Sequence, residues 1–284
     1  MDKTEQTLEE VDTELGKRYG EYAGFTGDAS PYLVETYGED PENEVRRLLG
    51  KLVQPSSKLL DIGCGPGHTL SLFASQVKDA WGIDGDEALL EAAQLRAAEQ
   101  NVSNVTFIHA DTSDECALNQ LPNAYFDIAY CESGPGINAA LIEKLAENAI
   151  FVQEIGGTFG AYQFHEIMGR KPYTYYAYGQ DYSDQVLLSE MAALDLVPIS
   201  IKNFFYEWYF RDVEHLEANV VNGPWHLGDW RMGSPLPYDS ERDRAALELY
   251  AAYNTTPKGV RFQQQIRVFV WRRDKVHFYP IAGR

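Results

Sequence analysis

Cysteine is scarce in this chain. Cys64, Cys116 and Cys131 form an odd, scattered set with no Cys-x-x-Cys spacing, so neither a disulfide frame nor a zinc knuckle is suggested. Long apolar runs are missing too: none approaches the ~20 residues that a membrane helix needs. The stretch from Met1 to Gln6 is acidic and polar, unlike the basic start and apolar core of a secretory leader. Positive charge is in short supply, with 24 Lys and Arg against 43 Asp and Glu and a formal net charge of −19. No basic stripe stands out, and such a charge repels a phosphate backbone, which argues against a nucleic-acid partner. These absences lead to the expectation of a soluble, cytoplasmic protein with no membrane partner. The acidity suits a solvated surface or the attraction of a cationic ligand. At 284 residues the chain is long enough for one large α/β domain with insertions, or for a core and a small lid.

Glycine, by contrast, is concentrated where it counts. A short apolar run, Leu59 to Ile62, is broken by Gly63, Gly65 and Gly67, and a helical pattern follows from Thr69. Strand, tight turn and helix in that order make the entry of a βαβ unit. Without a Cβ, the turn lets a ligand approach the backbone. The helix expected over 67–77 would aim its N–H groups at that ligand. A dinucleotide fingerprint wants its third glycine where His68 stands, and no Gly-Lys-Ser/Thr follows to make a phosphate-binding loop. The pattern here is Gly-x-Gly-x-Gly with Asp61 inside the preceding strand.

The alternation continues. Helices are expected over 4–18 and 41–53, strands over 80–84, 104–109 and 125–130, and a helix over 87–100 capped by Asp86. Asp84 closes the second strand about twenty residues beyond the glycines, where a carboxylate can accept both hydroxyl protons of a ribose. Asp111 follows the third strand and can accept from an adenine amino group. Glu132 and Ser133 follow the fourth, at the strand ends where open α/β sheets gather ligands. A helix over 137–152 and a fifth strand over 158–164 are then expected, placing His165 at a strand end, where an imidazole is suited to take a proton. A helix over 184–194, a strand over 197–205, a helix over 241–253 and a last strand over 262–271 complete the reading.

Rings interleave with small residues at two further places. Tyr19, Tyr22 and the neighbouring glycines suit a segment that closes over a ligand. Tyr162, Trp208, Trp225, His226 and Trp230 offer either the wall of an acceptor pocket or the core of a small cap. His226 and Asp229 are too few for a metal site, and no metal is expected.

From Leu59 to about Gln163 the chain resembles the core of the class I S-adenosylmethionine-dependent methyltransferases, in the small-molecule (type 11-like) group. Asp61, Gly63, Gly65 and Gly67 match the first motif, Asp84 the ribose acid, Asp111 the adenine contact, and Phe126, Asp127 and Ile128 the fourth-strand motif. The resemblance implies a Rossmann-like, doubly wound α/β sheet of seven strands, mostly parallel, with the last strand antiparallel and aromatic-rich insertions forming a cap. It divides the chain into an N-terminal flap at 1–40, a core at 41–165, and the rest of the sheet with acceptor-binding insertions at 166–284, about 166–183 and 206–250. The implied cofactor is S-adenosyl-L-methionine, held by Asp61, Gly63, Cys64, Gly65, Gly67, Asp84, Gly85, Asp111 and Thr112. Tyr19 and Glu132 are candidates for holding its methionine end or the acceptor.

His165 and Glu132 are the candidates for catalysis. Tyr22, Tyr162, Trp208, Trp225, His226 and Trp230 are the candidates for a small-molecule acceptor. Methyl transfer is the expected reaction; an aminopropyltransferase on the same fold, or a cofactor-binding regulator without turnover, are the alternatives. No Asn-Pro-Pro-Tyr follows strand four, which speaks against exocyclic base amines as substrates. Assembly as a homo-oligomer is compatible with this reading.

Overall fold

A computed structural model describes residues 6–19, 39–156, 162–168, 180–222 and 238–274. Its frame is an eight-stranded sheet in the order β3-β2-β1-β4-β5-β8-β6, with the short β7 (Thr255–Thr256) paired to β8. Strands β1 (Lys58–Ile62), β2 (Asp79–Asp84), β3 (Val105–His109), β4 (Phe126–Glu132) and β5 (Leu145–Gly156) are parallel to one another. β8 (Gly259–Arg273) runs antiparallel to both β5 and β6 (Leu196–Phe210). This is the doubly wound sheet with an antiparallel last strand that the sequence implies.

Helices cover both faces. α2 (Pro41–Leu52) and α3 (His68–Ala74) bury Val45, Leu49, Leu70 and Phe73 against Leu59, Tyr130 and Val152 on one face. On the other, α5 (Ala139–Ile142) and α7 (Gln180–Ala193) pack Leu141 and Leu187 against Leu60, Phe151 and Trp271. Local chemistry sets the helix starts. Asp40 caps α2, with Pro41 at its first position, and Asp86 caps α4 (Glu87–Glu99) by accepting from the Ala88 and Leu89 N–H groups. α1 (Leu8–Tyr19) rests on α4 through Leu15, Leu89 and Ala92. An Arg96–Asp12 ion pair at 2.7 Å reinforces this contact, and the Arg96 Nε also donates to the Pro66 carbonyl in the glycine turn.

The fifth strand corrects the sequence reading. Residues 145–156 are strand, not helix, and α5 is a single turn; the strand ends at Gly156, just before Thr158, where the fifth strand was expected to begin. Leu145, Ala149, Phe151 and Val152 are buried. A strand covered on both faces is apolar on both, so it lacks the alternation that marks an exposed one and imitates helical spacing. A register shift opposite Phe126/Ile128 and a left-handed Asn148 (φ 62°) further blur its start. Of the predicted strand 158–164, residues 162–164 belong instead to a helix, α6 (Tyr162–Ile167), and 158–161 lie outside the described residues. α3 is also shorter than the expected 67–77.

β5 pairs with β8 as far as Gly156↔Ile266, whereas β6 continues with β8 to Phe210↔Val260. The β6–β8 ribbon therefore projects beyond the carboxyl edge of the sheet. α6, α8 (Val213–Asn222), which the sequence reading missed, and α9 (Ser240–Asn254) gather on this ribbon around a second core. Phe164, Phe210, Leu216, Tyr250 and Phe262 are fully buried in it, with Phe164 edge-on to Tyr250 at 5.1 Å.

Candidate active site

The carboxyl edge of β1, β2, β3 and β4 carries the expected site. Gly63, Gly65 and Gly67 all adopt positive φ (76°, 51° and 75°), the conformation for which side chains are least suited. A Cβ at Gly63 would strike Pro135 Cδ at 2.8 Å, so this glycine packs the β1 turn against the β4 loop. At Gly65 a Cβ would meet nothing within 4 Å. Of the three, Gly65 alone leaves room for a ligand rather than for the protein itself.

Asp84 controls the turn directly. Its Oδ2 accepts from the Gly65 N–H at 2.8 Å and its Oδ1 from the Asp86 N–H at 2.9 Å, while the Gly63 and Cys64 N–H groups donate to the Ile83 carbonyl. Each Asp84 oxygen keeps a lone pair for a further donor. Asp111 is exposed, one loop away; the Ser113 backbone N–H and then its hydroxyl hold it below the usual carboxylate range. The next residue, Thr112, offers its carbonyl to Asn138, which caps α5. Gly85 receives the His109 ring on its carbonyl at 3.0 Å.

Asp61 lies inside, not in the open cleft. It is 3 % exposed, and its Oδ2 accepts from the Tyr130 hydroxyl at 2.6 Å. Burial pushes its carboxyl well above the ordinary range, against the pull of that hydroxyl. Cys64 and Cys131 are buried, and burial raises both thiols.

At the end of β4 the structure adds a partner that the sequence reading missed. Glu132 and Glu154 are Cα partners across β4 and β5, so they share one face of the sheet. The Ser133 hydroxyl donates to Glu154 Oε1 at 2.7 Å. Glu154 Oε2 and Glu132 Oε1 are sealed from solvent and have no hydrogen-bond partner. Burial pushes Glu132 up to about 7 and Glu154 up to about 8; the neighbouring Glu132 charge adds to the latter shift, and the Thr69 and Ser133 hydroxyls oppose the two shifts. The signal for Glu154 was an acid in an otherwise apolar stretch directly before Gly156 and Gly157, concealed once that stretch was read as helix.

Of the other expected residues, Trp208 separates from this group. Trp208 is on β6, stacked on Phe262 at 6.4 Å, and so belongs to the second core. Tyr162 and His165 lie on α6, so the histidine does not end a strand. Tyr19 ends α1. Tyr22, Trp225, His226 and Trp230 lie outside the described residues. A surface cavity beside Arg211 and Lys258, at the far end of the ribbon, contains none of the expected site residues. Among the described residues no three His, Cys, Asp or Glu side chains converge as a metal site, and no helix is long and apolar enough to cross a membrane.

With this geometry in view, the family comparison is direct: residues 59–156 match the model of a methyltransferase domain. This segment, about a third of the chain, is similar to methyltransferase domains. It ends with β5 and contains every residue of the glycine turn, Asp84, Asp111, Glu132 and Glu154. An uncharacterised methyltransferase, YcgJ, of Bacillus subtilis is 35% identical over 107 residues, 38% of this chain and 41% of that protein. A protein-L-isoaspartate O-methyltransferase of Saccharophagus degradans is 28% identical over 45% of this chain and 52% of its own. A 23S rRNA (uracil-C5)-methyltransferase of an Enterobacter species is 26% identical over 35% of this chain and 24% of its own. The chain thus spans from about a quarter to about half the length of these relatives.

In fold, the methyltransferase domain and its additions match a Deinococcus radiodurans protein of unknown function (TM-score 0.58, 17% identity, 92% of this chain and 97% of that one). They also match the YcgJ structure (0.53, 17%, 82% and 100%). The cofactor of the family is S-adenosylmethionine. The residues present fit such a group: a glycine with open space before it, a carboxylate with free lone pairs at the end of β2, and a second carboxylate at the end of β3.

Proposed function

We propose that this chain transfers a methyl group from S-adenosylmethionine to a small-molecule acceptor. The observation that carries the reading is the convergence of the open Gly65 turn, Asp84, Asp111 and Glu132 on one edge of a methyltransferase domain. Asp84 would hold the ribose hydroxyls and Asp111 the adenine amino group. Gly63, Cys64, Gly67, Gly85 and Thr112 shape the walls of the cofactor cleft, with Asp61 buried behind them and Tyr19 and Glu132 toward its methionine end.

When bound, the donor supplies a methyl on a positively charged sulfur, and its C–S bond breaks with the electron pair left on that sulfur. The protein's own task is alignment in a dry site, an effect that can reach about 7–11 kcal/mol. The cap on the β6–β8 ribbon stands on the carboxyl side of the sheet, where it can exclude water from the acceptor. Glu132 and Glu154, raised toward neutrality, are suited to take a proton from an acceptor that arrives protonated. They replace His165 as the first candidates for that role. The net charge of −19 favours a small molecule over a polyanion, and a cytoplasmic site of action goes with this reading.

Calorimetry with S-adenosylhomocysteine tests it: a saturable heat is expected, and a flat titration with the wild-type chain would overturn the proposal. A second reading gains from the Glu132–Glu154 pair, since an aminopropyltransferase needs acids to hold a polyamine. Turnover with methyl rather than aminopropyl donors separates the two.

A further inference from the structure

Glu132 and Glu154 each carry an unsatisfied oxygen at the carboxyl edge. The two side chains share a face of β4 and β5, one oxygen of each is sealed from solvent without a donor, and Glu154 is 6 % exposed. Acids surround them. Asp40 and Glu42, at the start of α2, act on both carboxylates, and Asp61 and Asp84 lie on the neighbouring strands. Arg46 also acts on Glu132; one end of its guanidinium is held by Glu42 at 2.9 Å, and its Nε is itself buried without a partner. Asp40, Glu42, Glu132 and Glu154 thus outnumber the one cation, Arg46, that acts on the pair among the described residues. A neutral alcohol would supply a donor and no charge; a carboxylate or phosphate would add repulsion.

We propose that the acceptor is a primary or secondary amine, bound as its ammonium between Glu132 and Glu154, with its N–H groups on the two orphaned oxygens. An ammonium has several donors on one compact charge, which suits two carboxylates on adjacent strands. It also explains why acids stand on β4, β5 and α2 around the same spot. Before reaction the ammonium gives one proton to a carboxylate of the pair: the N–H bond breaks, an O–H bond forms, and the nitrogen keeps the electron pair. Burial has raised both groups near neutrality, which favours that transfer.

This inference rests on the methyltransferase reading, and the test keeps the two apart. The intact chain is first saturated with S-adenosylhomocysteine. Binding of butylamine, 1,4-diaminobutane and 2-phenylethylamine is then measured by calorimetry at pH 8, against the matched alcohols and carboxylates. At least one amine is expected to bind at least about tenfold more tightly than its matched alcohol and carboxylate, the worth of one charge-assisted hydrogen bond. Glu154→Gln, which keeps an acceptor for Ser133, is expected to remove that preference and to leave the S-adenosylhomocysteine affinity within about twofold. Saturable S-adenosylhomocysteine binding with no amine preference overturns the inference and leaves the methyltransferase reading standing. A Glu154→Gln variant that loses S-adenosylhomocysteine instead overturns it too, because the pair would then hold the donor's own ammonium.

Discussion

Two pairs of carboxylates border the same edge of the sheet and live under opposite conditions. Asp84 and Asp111 face outward and already accept backbone N–H groups, from Gly65 and Asp86 in one case and from Ser113 in the other. Glu154 is buried and Glu132 half-buried, each with a sealed oxygen to which nothing donates among the described residues. Asp111 is held below the ordinary carboxylate range, whereas both glutamates are pushed up toward neutrality. The difference teaches that one functional group does two jobs here. Satisfied carboxylates fix loop geometry and present spare lone pairs to a neutral ligand. Unsatisfied ones keep a free-energy deficit that a cation or a proton relieves.

The comparison can be broken most severely at Asp84. Asp84→Ala removes the acceptor for two backbone donors as well as the proposed ribose contact, so S-adenosylhomocysteine affinity is expected to fall about 100-fold or more; calorimetry that finds wild-type affinity would remove the aspartate from the cofactor site. For the buried pair, the sign of the pH dependence is the sharper test. The folded protein binds the Glu154 proton more tightly than the unfolded chain, so stability falls as pH rises from about 4.5 through about 8. Glu154→Gln is therefore expected to be more stable than wild type at pH 8.5, on the order of 3 kcal/mol, with the advantage shrinking toward pH 4.5. Urea unfolding at the two pH values measures it, and a pH-independent difference would mean that the carboxyl is not strained by burial.

The glycines sharpen the comparison by separating packing from binding. Gly63→Ala meets Pro135 Cδ at 2.8 Å as well as an unfavourable φ, so it is expected to cost about 2–3 kcal/mol of stability. Gly65→Ala enters open space and pays for φ alone, about 1 kcal/mol, while its methyl obstructs the proposed cofactor. Thermal unfolding should rank Gly63→Ala as the less stable, and the cofactor titration should rank Gly65→Ala as the weaker binder. The smallest effect belongs to Asp111→Asn. It keeps an acceptor for Ser113 and exposes no buried group, so S-adenosylhomocysteine affinity is expected to change by about threefold to tenfold and stability by less than about 0.5 kcal/mol. A change as large as that at Asp84 would make Asp111 a structural partner of the turn.

The sequence by itself determined the first half of the sheet. Leu59 to Gly67, Asp84 with its capping neighbour Asp86, and Asp111 are local signals: a strand end, a positive-φ turn, a helix cap, each readable within a few residues because the physics that enforces it acts over a few residues. Strand order across the sheet, with its antiparallel β8, came from the resemblance those motifs carry. Tertiary structure alone decided the rest. β5 is hidden between β4 and β8, and burial on both faces erases the alternation that would have marked it. Glu154 therefore became visible as the neighbour of Glu132 only once the register Glu132↔Glu154 was set. Trp208, an aromatic on a strand, looks the same in sequence whether it lines a pocket or fills a core; its stacking on Phe262 is set by a strand more than fifty residues away, a contact that no local pattern encodes.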